Sequence, residues 1–112
     1  NTVRNIVQEA IATFVLVFAM CGLNQVPELN DGVGKLLVFG IIVSIGMSLG
    51  GLTGYALNPA RDLGPRIAHA ILPIKGKGSS NFKYGLIVPI FGPIIGGLLA
   101  VLLYNVIPWA AA

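Results

Sequence analysis

The sequence predicts an all-α membrane protein: three transmembrane helices and one re-entrant half-helix. Three observations carry that prediction. The 112 residues are 55 % hydrophobic and only 10 % charged, with a mean hydropathy of +0.86, far from the averages of a water-soluble domain. The apolar residues gather into three runs, about 6–23, 35–50 and 84–107. Each is close to what is needed to cross a hydrocarbon core roughly 30 Å thick at about 1.5 Å per residue. Between the second and third runs lies Gly50-Gly51-Leu52-Thr53-Gly54-Tyr55-Ala56-Leu57-Asn58-Pro59-Ala60-Arg61-Asp62, which is too irregular to be a span and is embedded in a very apolar chain.

The first span, Ile6 to Leu23, contains one carboxylate, Glu9. A carboxylate at membrane depth must face protein or water. One reading places it at the interface, with its stem along the helix end. The favoured reading has it accept hydrogen bonds from exposed backbone N–H groups of the irregular loop. With Gln8 and Glu9 near its start and no leading methionine, the segment does not read as a cleavable signal, and the chain is expected to be a fragment or a processed half. Asn24 to Gly34 is polar and carries Pro27, Asn30, Asp31 and Gly32, so it is expected to be a short connecting loop. Lys35 opens the second run, in which Gly46 and Gly50 form a small-xxx-small pair that would let a neighbouring helix approach closely.

The half-helix is expected at Pro59 to about Leu72, with the whole pore loop and half-helix spanning about 51–72. Asn58 is a good N-cap and Pro59 suits the first helical position, where its missing N–H costs nothing. At roughly 20 Å such a helix is too short to cross and must re-enter. A helix start at membrane depth, with its positive dipole end and Arg61 beside it, has few uses other than a polar passage. Asp62 and Arg66 stand four apart with the acid first, the favourable order for a pair on one helix. Pro73 stops the helix, and Lys75 to Asn81 reads as a flexible polar loop. The third span, Tyr84 to about Ile107, has Tyr84 and Trp109 as interfacial anchors, Gly92 and Gly96 as a close-packing face, and a kink expected at Pro89 and Pro93.

Other chemistries find little support. The formal charge of +3 comes from few residues, gathered mostly in loops and the central stretch, which does not indicate a nucleic-acid surface. Cys21 stands alone, so neither an internal disulfide nor a cysteine-ligated metal site is expected, and His69 has no partner at metal-ligand spacing. No cofactor is indicated, and an intramembrane enzyme would need a nucleophile and base that the pattern lacks.

Asn58-Pro59-Ala60-Arg61-Asp62, preceded by Thr53-Gly54-Tyr55 and followed by Gly64-Pro65-Arg66, resembles the second pore loop of the aquaporin family, on its glycerol-facilitator branch. The flanking hydrophobic segments match that family's second half in order and spacing. The resemblance implies one inverted repeat of an aquaporin-like fold, a C-terminal half over 1–112 that needs a complementary first half. It further implies a multi-pass protein of the cell membrane, a homotetramer of complete channels, and passive passage of glycerol, other small neutral solutes and water with exclusion of ions and protons.

In that picture Asn58, its side-chain oxygen bound to its own helix, points its amide into the lumen. The carbonyls of Tyr55, Ala56 and Leu57, on extended backbone, accept from passing hydroxyls, while Arg61 offers donors at the mouth. Pro59 and Ala60 complete the motif, and Glu9 and Asp62 support it. The resemblance also assigns Gly46, twelve residues before Asn58, and Tyr55 to the filter facing Arg61. Glycerol-type members carry Gly where water-selective ones carry His, and often Phe where this chain has Tyr55. Pro89-Ile90 likewise matches a Pro-aliphatic pair of glycerol-type members. The competing reading is a non-conducting membrane subunit in which Asn58-Pro59-Ala60 is only a re-entrant packing element.

Orientation sets two arguments against each other. The resemblance puts Asn1 and the loop from Ile74 to Lys83 outside the cell, and the loop from Asn24 to Lys35 inside. Arg4, Lys75, Lys77 and Lys83 then face out against Lys35 within, the reverse of the positive-inside rule. We predict insertion in the family orientation when a first half precedes the chain, and inverted or mixed insertion when these residues are expressed alone. Labelling of a cysteine introduced at Gly78 from the two sides of the membrane checks this. Outside-only labelling in both cases would show that the local charges carry no weight.

Overall fold

The computed structural model describes residues 1–109, so 110–112 at the end of the expected unit lie outside the description. The described residues form helices α1 (Thr2–Leu23), α2 (Asp31–Leu49), α3 (Pro59–Ile71), α4 (Phe82–Gly85) and α5 (Val88–Val106), with no strand among them. Three stretches are long and apolar enough to cross a membrane: α1, α2, and α4 with α5 taken together.

Two spans begin earlier than the apolar runs because polar caps extend them. Asn1 Oδ1 accepts from the Arg4 N–H at 3.2 Å, so α1 starts at Thr2 and not at Ile6. Asn30 Oδ1 accepts from the N–H groups of Gly32 and Val33, and Asp31 pairs with Lys35 at 2.9 Å across one turn. Residues 31–34, expected in the loop, are therefore the first turn of α2. The third span is broken where a kink was expected. Pro89 has no N–H to donate, and the chain leaves the helix at Leu86 and Ile87, so Pro89 falls in the first turn of α5 while Pro93 lies inside it.

Glycine decides how the spans assemble. A Cβ on Gly92 would stand 2.6 Å from Glu9 Cβ and 3.0 Å from the Ile6 carbonyl oxygen, and one on Gly96 would strike the Ala10 carbonyl. Without those methyl groups α5 lies directly against α1, the most extensive helix contact in the chain. Residues 6–10 of α1 face 92–96 of α5, and Phe18 faces Trp109 further along, so the two helices run in the same direction. The α2 helix runs the opposite way, its Leu49 carbonyl accepting from Gln8 Nε2 at 2.6 Å. The buried apolar cluster is small: Ala12, Ile45 and Leu57, with Leu16, Ile41, Leu49 and Tyr55 around it. Large apolar side chains such as Phe39, Met47 and Leu98 are instead exposed, as expected where lipid is the solvent.

Gly46 and Gly50 do not form a helix–helix seam. A Cβ at either would meet the Tyr55 ring, at 2.9 Å from Cζ for Gly46 and 2.6 Å from Cδ1 for Gly50. The space these glycines leave is filled by an aromatic side chain. The segment after α3, expected to be flexible, is tied down: Lys77 Nζ donates to the carbonyls of His69, Ala70 and Leu72, and Ser80 Oγ lies 2.8 Å from His69 Nδ1. At the far end of the bundle Trp109 Nε1 donates to the Tyr104 carbonyl at 2.8 Å, and Tyr104 hydrogen-bonds Gln25.

Gly96→Val should destabilise the protein by roughly 2 kcal/mol, the usual scale of overpacking, because backbone at Ala10 cannot yield as a side chain would. Gly97→Ala, whose added carbon would make an ordinary 3.8 Å contact with Val17, should stay near wild type. Thermal unfolding of the two variants in detergent, compared side by side, checks the difference.

Candidate functional site

The centre of the molecule is the irregular backbone from Gly50 to Asn58. It is not extended, as expected from the sequence, but alternates in hand: Gly54, Tyr55 and Leu57 have φ of 76°, 42° and 61°. Two of these are non-glycine residues in the left-handed region, each costing on the order of 1–3 kcal/mol, so surrounding contacts must hold them there. Glu9 is the principal one. Its side chain is fully buried (0 % exposed); Oε1 accepts from the Ala56 N–H at 2.9 Å and from the Thr53 hydroxyl, and Oε2 accepts from the Leu57 N–H at 2.9 Å. A carboxylate only accepts, which matches three donors converging on it. Glu9 is thus not at an interface: α1 carries it into the loop. Thr13, one turn further on, reaches the Leu57 carbonyl at 3.5 Å.

Leu57 closes a three-residue turn, the Asn58 N–H donating to the Ala56 carbonyl at 2.7 Å. Asn58 then begins α3. Its Oδ1 accepts from the N–H groups of Ala60 at 2.8 Å and Arg61 at 3.3 Å, and Pro59 occupies the first turn. With the oxygen so engaged, the Asn58 amide NH₂ is turned away from the helix and has no partner among the described residues. Asn58, Ala60 and Arg61 are all exposed on this side, whereas Ala56 and Leu57 are buried.

Arg61 folds back over the loop. Its Nη1 donates to the carbonyls of Tyr55 at 2.7 Å and Ala56 at 3.0 Å, and the guanidinium carbon lies 5.1 Å from the centroid of the Tyr55 ring. Tyr55 is therefore gripped from two sides, by Arg61 and by the flat surface of Gly46 and Gly50. The Nη2 and Nε donors of Arg61 have no partner among the described residues. The carbonyls are less available than the sequence suggested. Ala56 O already accepts from Arg61 and Asn58, its full capacity of two, which leaves the free lone pairs at Tyr55 and Leu57.

Asp62 makes the i,i+4 pair with Arg66 that their spacing favours. Both its oxygens bind Arg66, at 2.8 and 2.9 Å, and Arg66 Nη1 continues to the Ser80 and Asn81 carbonyls. The Arg66 guanidinium also lies 5.7 Å from the Tyr84 ring centroid and fills the space left by Gly85. Arg66, Thr53 and Gln8 were not singled out as site residues from sequence, since an i,i+4 pair, a lone hydroxyl and a lone amide signal nothing until their distant partners are known. Beyond the loop lies an open cavity of about 600 Å³, lined by Gly54, Ala56, Arg61, Arg66, His69 and Ser80 among others. Polar and charged side chains, Arg61, Asp62, Arg66, His69 and Ser80, form much of its wall. Among the described residues no group of acidic, histidine or cysteine side chains is placed to hold a metal.

Glu9→Gln tests the loop's dependence on its carboxylate. The amide would oppose one donor with another, leaving Leu57 or Ala56 N–H buried without an acceptor, at a cost of about 3 kcal/mol. Faster hydrogen exchange at the Ala56 and Leu57 amides and a lower unfolding temperature are expected.

A family model described as major intrinsic protein matches residues 1–104. Among curated relatives, the chain is 57 % identical over 105 residues to the glycerol uptake facilitator protein of Bacillus subtilis, covering 94 % of this chain and 38 % of the relative. It is 53 % identical to glycerol uptake facilitator protein 3 of Lactiplantibacillus plantarum and 55 % identical to a probable glycerol uptake facilitator protein of Thermotoga maritima. Those matches cover 93 % and 90 % of this chain and 42 % of each relative, so the chain spans less than half the length of the relatives it matches. No solved structure matches it significantly. With the family model spanning nearly the whole sequence and three apolar helices long enough to cross a bilayer, the chain belongs to the major intrinsic protein family of multi-pass cell-membrane channels, which are not enzymes.

Proposed function

We propose that this chain is the C-terminal repeat of a channel that passes glycerol, other small neutral solutes and water down their gradients while excluding ions and protons. A complementary first half completes the pore, and complete channels assemble as a homotetramer. The observation that carries the proposal is the unit formed by Gly46, Tyr55 and Arg61. An aromatic ring lies flat on a glycine surface with a guanidinium above it, and the guanidinium keeps Nη2 and Nε for a ligand. A polyol fits that unit: carbons against the ring, hydroxyls donated to by Arg61 and the Asn58 amide, and one hydroxyl donating to the Tyr55 carbonyl. The N-terminal end of α3, equivalent to about half a positive charge, together with Arg61 opposes cations at the same place. The names of the relatives point to the same solute.

Flux through the full-length protein in vesicles tests this reading. Glycerol should pass, without proton leakage. Gly46→His alone should lose both glycerol and water flux and unfold more readily, because its Cβ would stand 2.9 Å from Tyr55 Cζ. Gly46→His with Tyr55→Cys removes that collision, so stability should recover, water flux should return and glycerol flux should stay low. Equal loss of both fluxes in the double variant would place the filter elsewhere.

A further inference from the structure

We propose that Lys77 is a positioning residue for this passage: by capping the C-terminal end of α3 it fixes how the half-helix, and Arg61 at the helix's other end, is seated. The inference rests on the reading of Arg61 as part of the filter. Within this chain none of the residues of α3 is buried, and Pro65 lies inside the helix, so its ends carry much of its attachment to the other described elements. Its last carbonyls have no partner within the helix, since Leu72 has already turned to extended backbone.

Lys77 supplies the partners. Its ammonium has three N–H donors, and three carbonyls receive them: His69, Ala70 and Leu72, each at 2.8 Å. A cation there also meets the negative end of the helix dipole. The chain turns back to deliver it, with Gly76 at a φ of 71° where a side chain would be strained. The segment that carries Lys77 grips α3 a second time, at Arg66 and His69 through Ser80 and Asn81. Helix α3 is thus held at two heights by one loop, and its first turn is held by the Tyr55 and Ala56 carbonyls through Arg61. Release of the far end lets the short helix pivot about the Arg66 clamp and carries Arg61 off those carbonyls. Lys75, two residues earlier, is exposed and provides a control of equal charge.

The experiment measures glycerol and xylitol flux through the full-length protein in vesicles, as a ratio that cancels the amount inserted. Lys77→Met keeps the stem and removes the donors; the xylitol-to-glycerol ratio should rise by roughly threefold or more, since hydrogen bonds to a charged group are the strong ones. Hydrogen exchange at residues 69–72 should quicken with it. Lys77→Arg should restore the ratio, and Lys75→Met should leave it unchanged. Where Lys77→Met does not insert, Lys77→Gln, which retains two donors, should give an intermediate ratio. An unchanged ratio in the inserted Lys77 variant, or an equal change in Lys75→Met, overturns the proposal while wild-type glycerol flux stands. Wild-type vesicles that pass no glycerol overturn the filter reading and the positioning role of Lys77 together.

Discussion

A backbone that leaves the helix inside a membrane exposes N–H groups to a medium that cannot hydrogen-bond them, and the rest of this structure depends on how that is met. Glu9 meets it. A carboxylate buried among apolar helices would ordinarily be costly, and so would the bare amides of Ala56 and Leu57. Brought together they satisfy each other, with Thr53 as the third donor. Because the carboxylate belongs to a spanning helix, it ties the loop's backbone to α1, where Leu57 also packs against Ala12.

That arrangement explains why α1 and α5 lie so close. Gly92 stands against Glu9 Cβ, so the glycine seam closes the side of the helix from which the carboxylate emerges. A larger residue at that position would move α1 away, and the loop amides with it. The seam and the loop are one structural unit, though its parts are over thirty residues apart in the chain.

On the loop's open side the constraints become selective ones. Tyr55 adopts a left-handed backbone that an L-residue avoids, and it is kept there by Arg61 on its carbonyl and by the glycine surface under its ring. The three residues therefore act as a set. Filling Gly46 affects Tyr55 first, and whatever moves Tyr55 moves the acceptor that holds Arg61. Electrostatics follow from the same geometry, because the start of α3 and the guanidinium place positive character beside an open cavity lined by Arg61.

The sequence by itself determined the class of the protein, the number of spans and the start of the half-helix. Hydropathy, span length and the Asn58-Pro59 cap are local properties, governed by solvent and by adjacent residues. It also singled out Glu9 and Gly92-Gly96, because a carboxylate or a small-residue stripe within a span is already an exception that needs a partner. It did not reveal the left-handed backbone at Tyr55 and Leu57, since nothing local favours it: Glu9, Arg61 and the glycine surface under the Tyr55 ring hold it. Nor could it tell that Gly46 and Gly50 seat an aromatic ring and not a helix, that Arg66 goes on to the Ser80 and Asn81 carbonyls, or that Lys77 caps α3. Each of those contacts depends on side chains meeting across chain reversals, and only the tertiary structure brings them within reach.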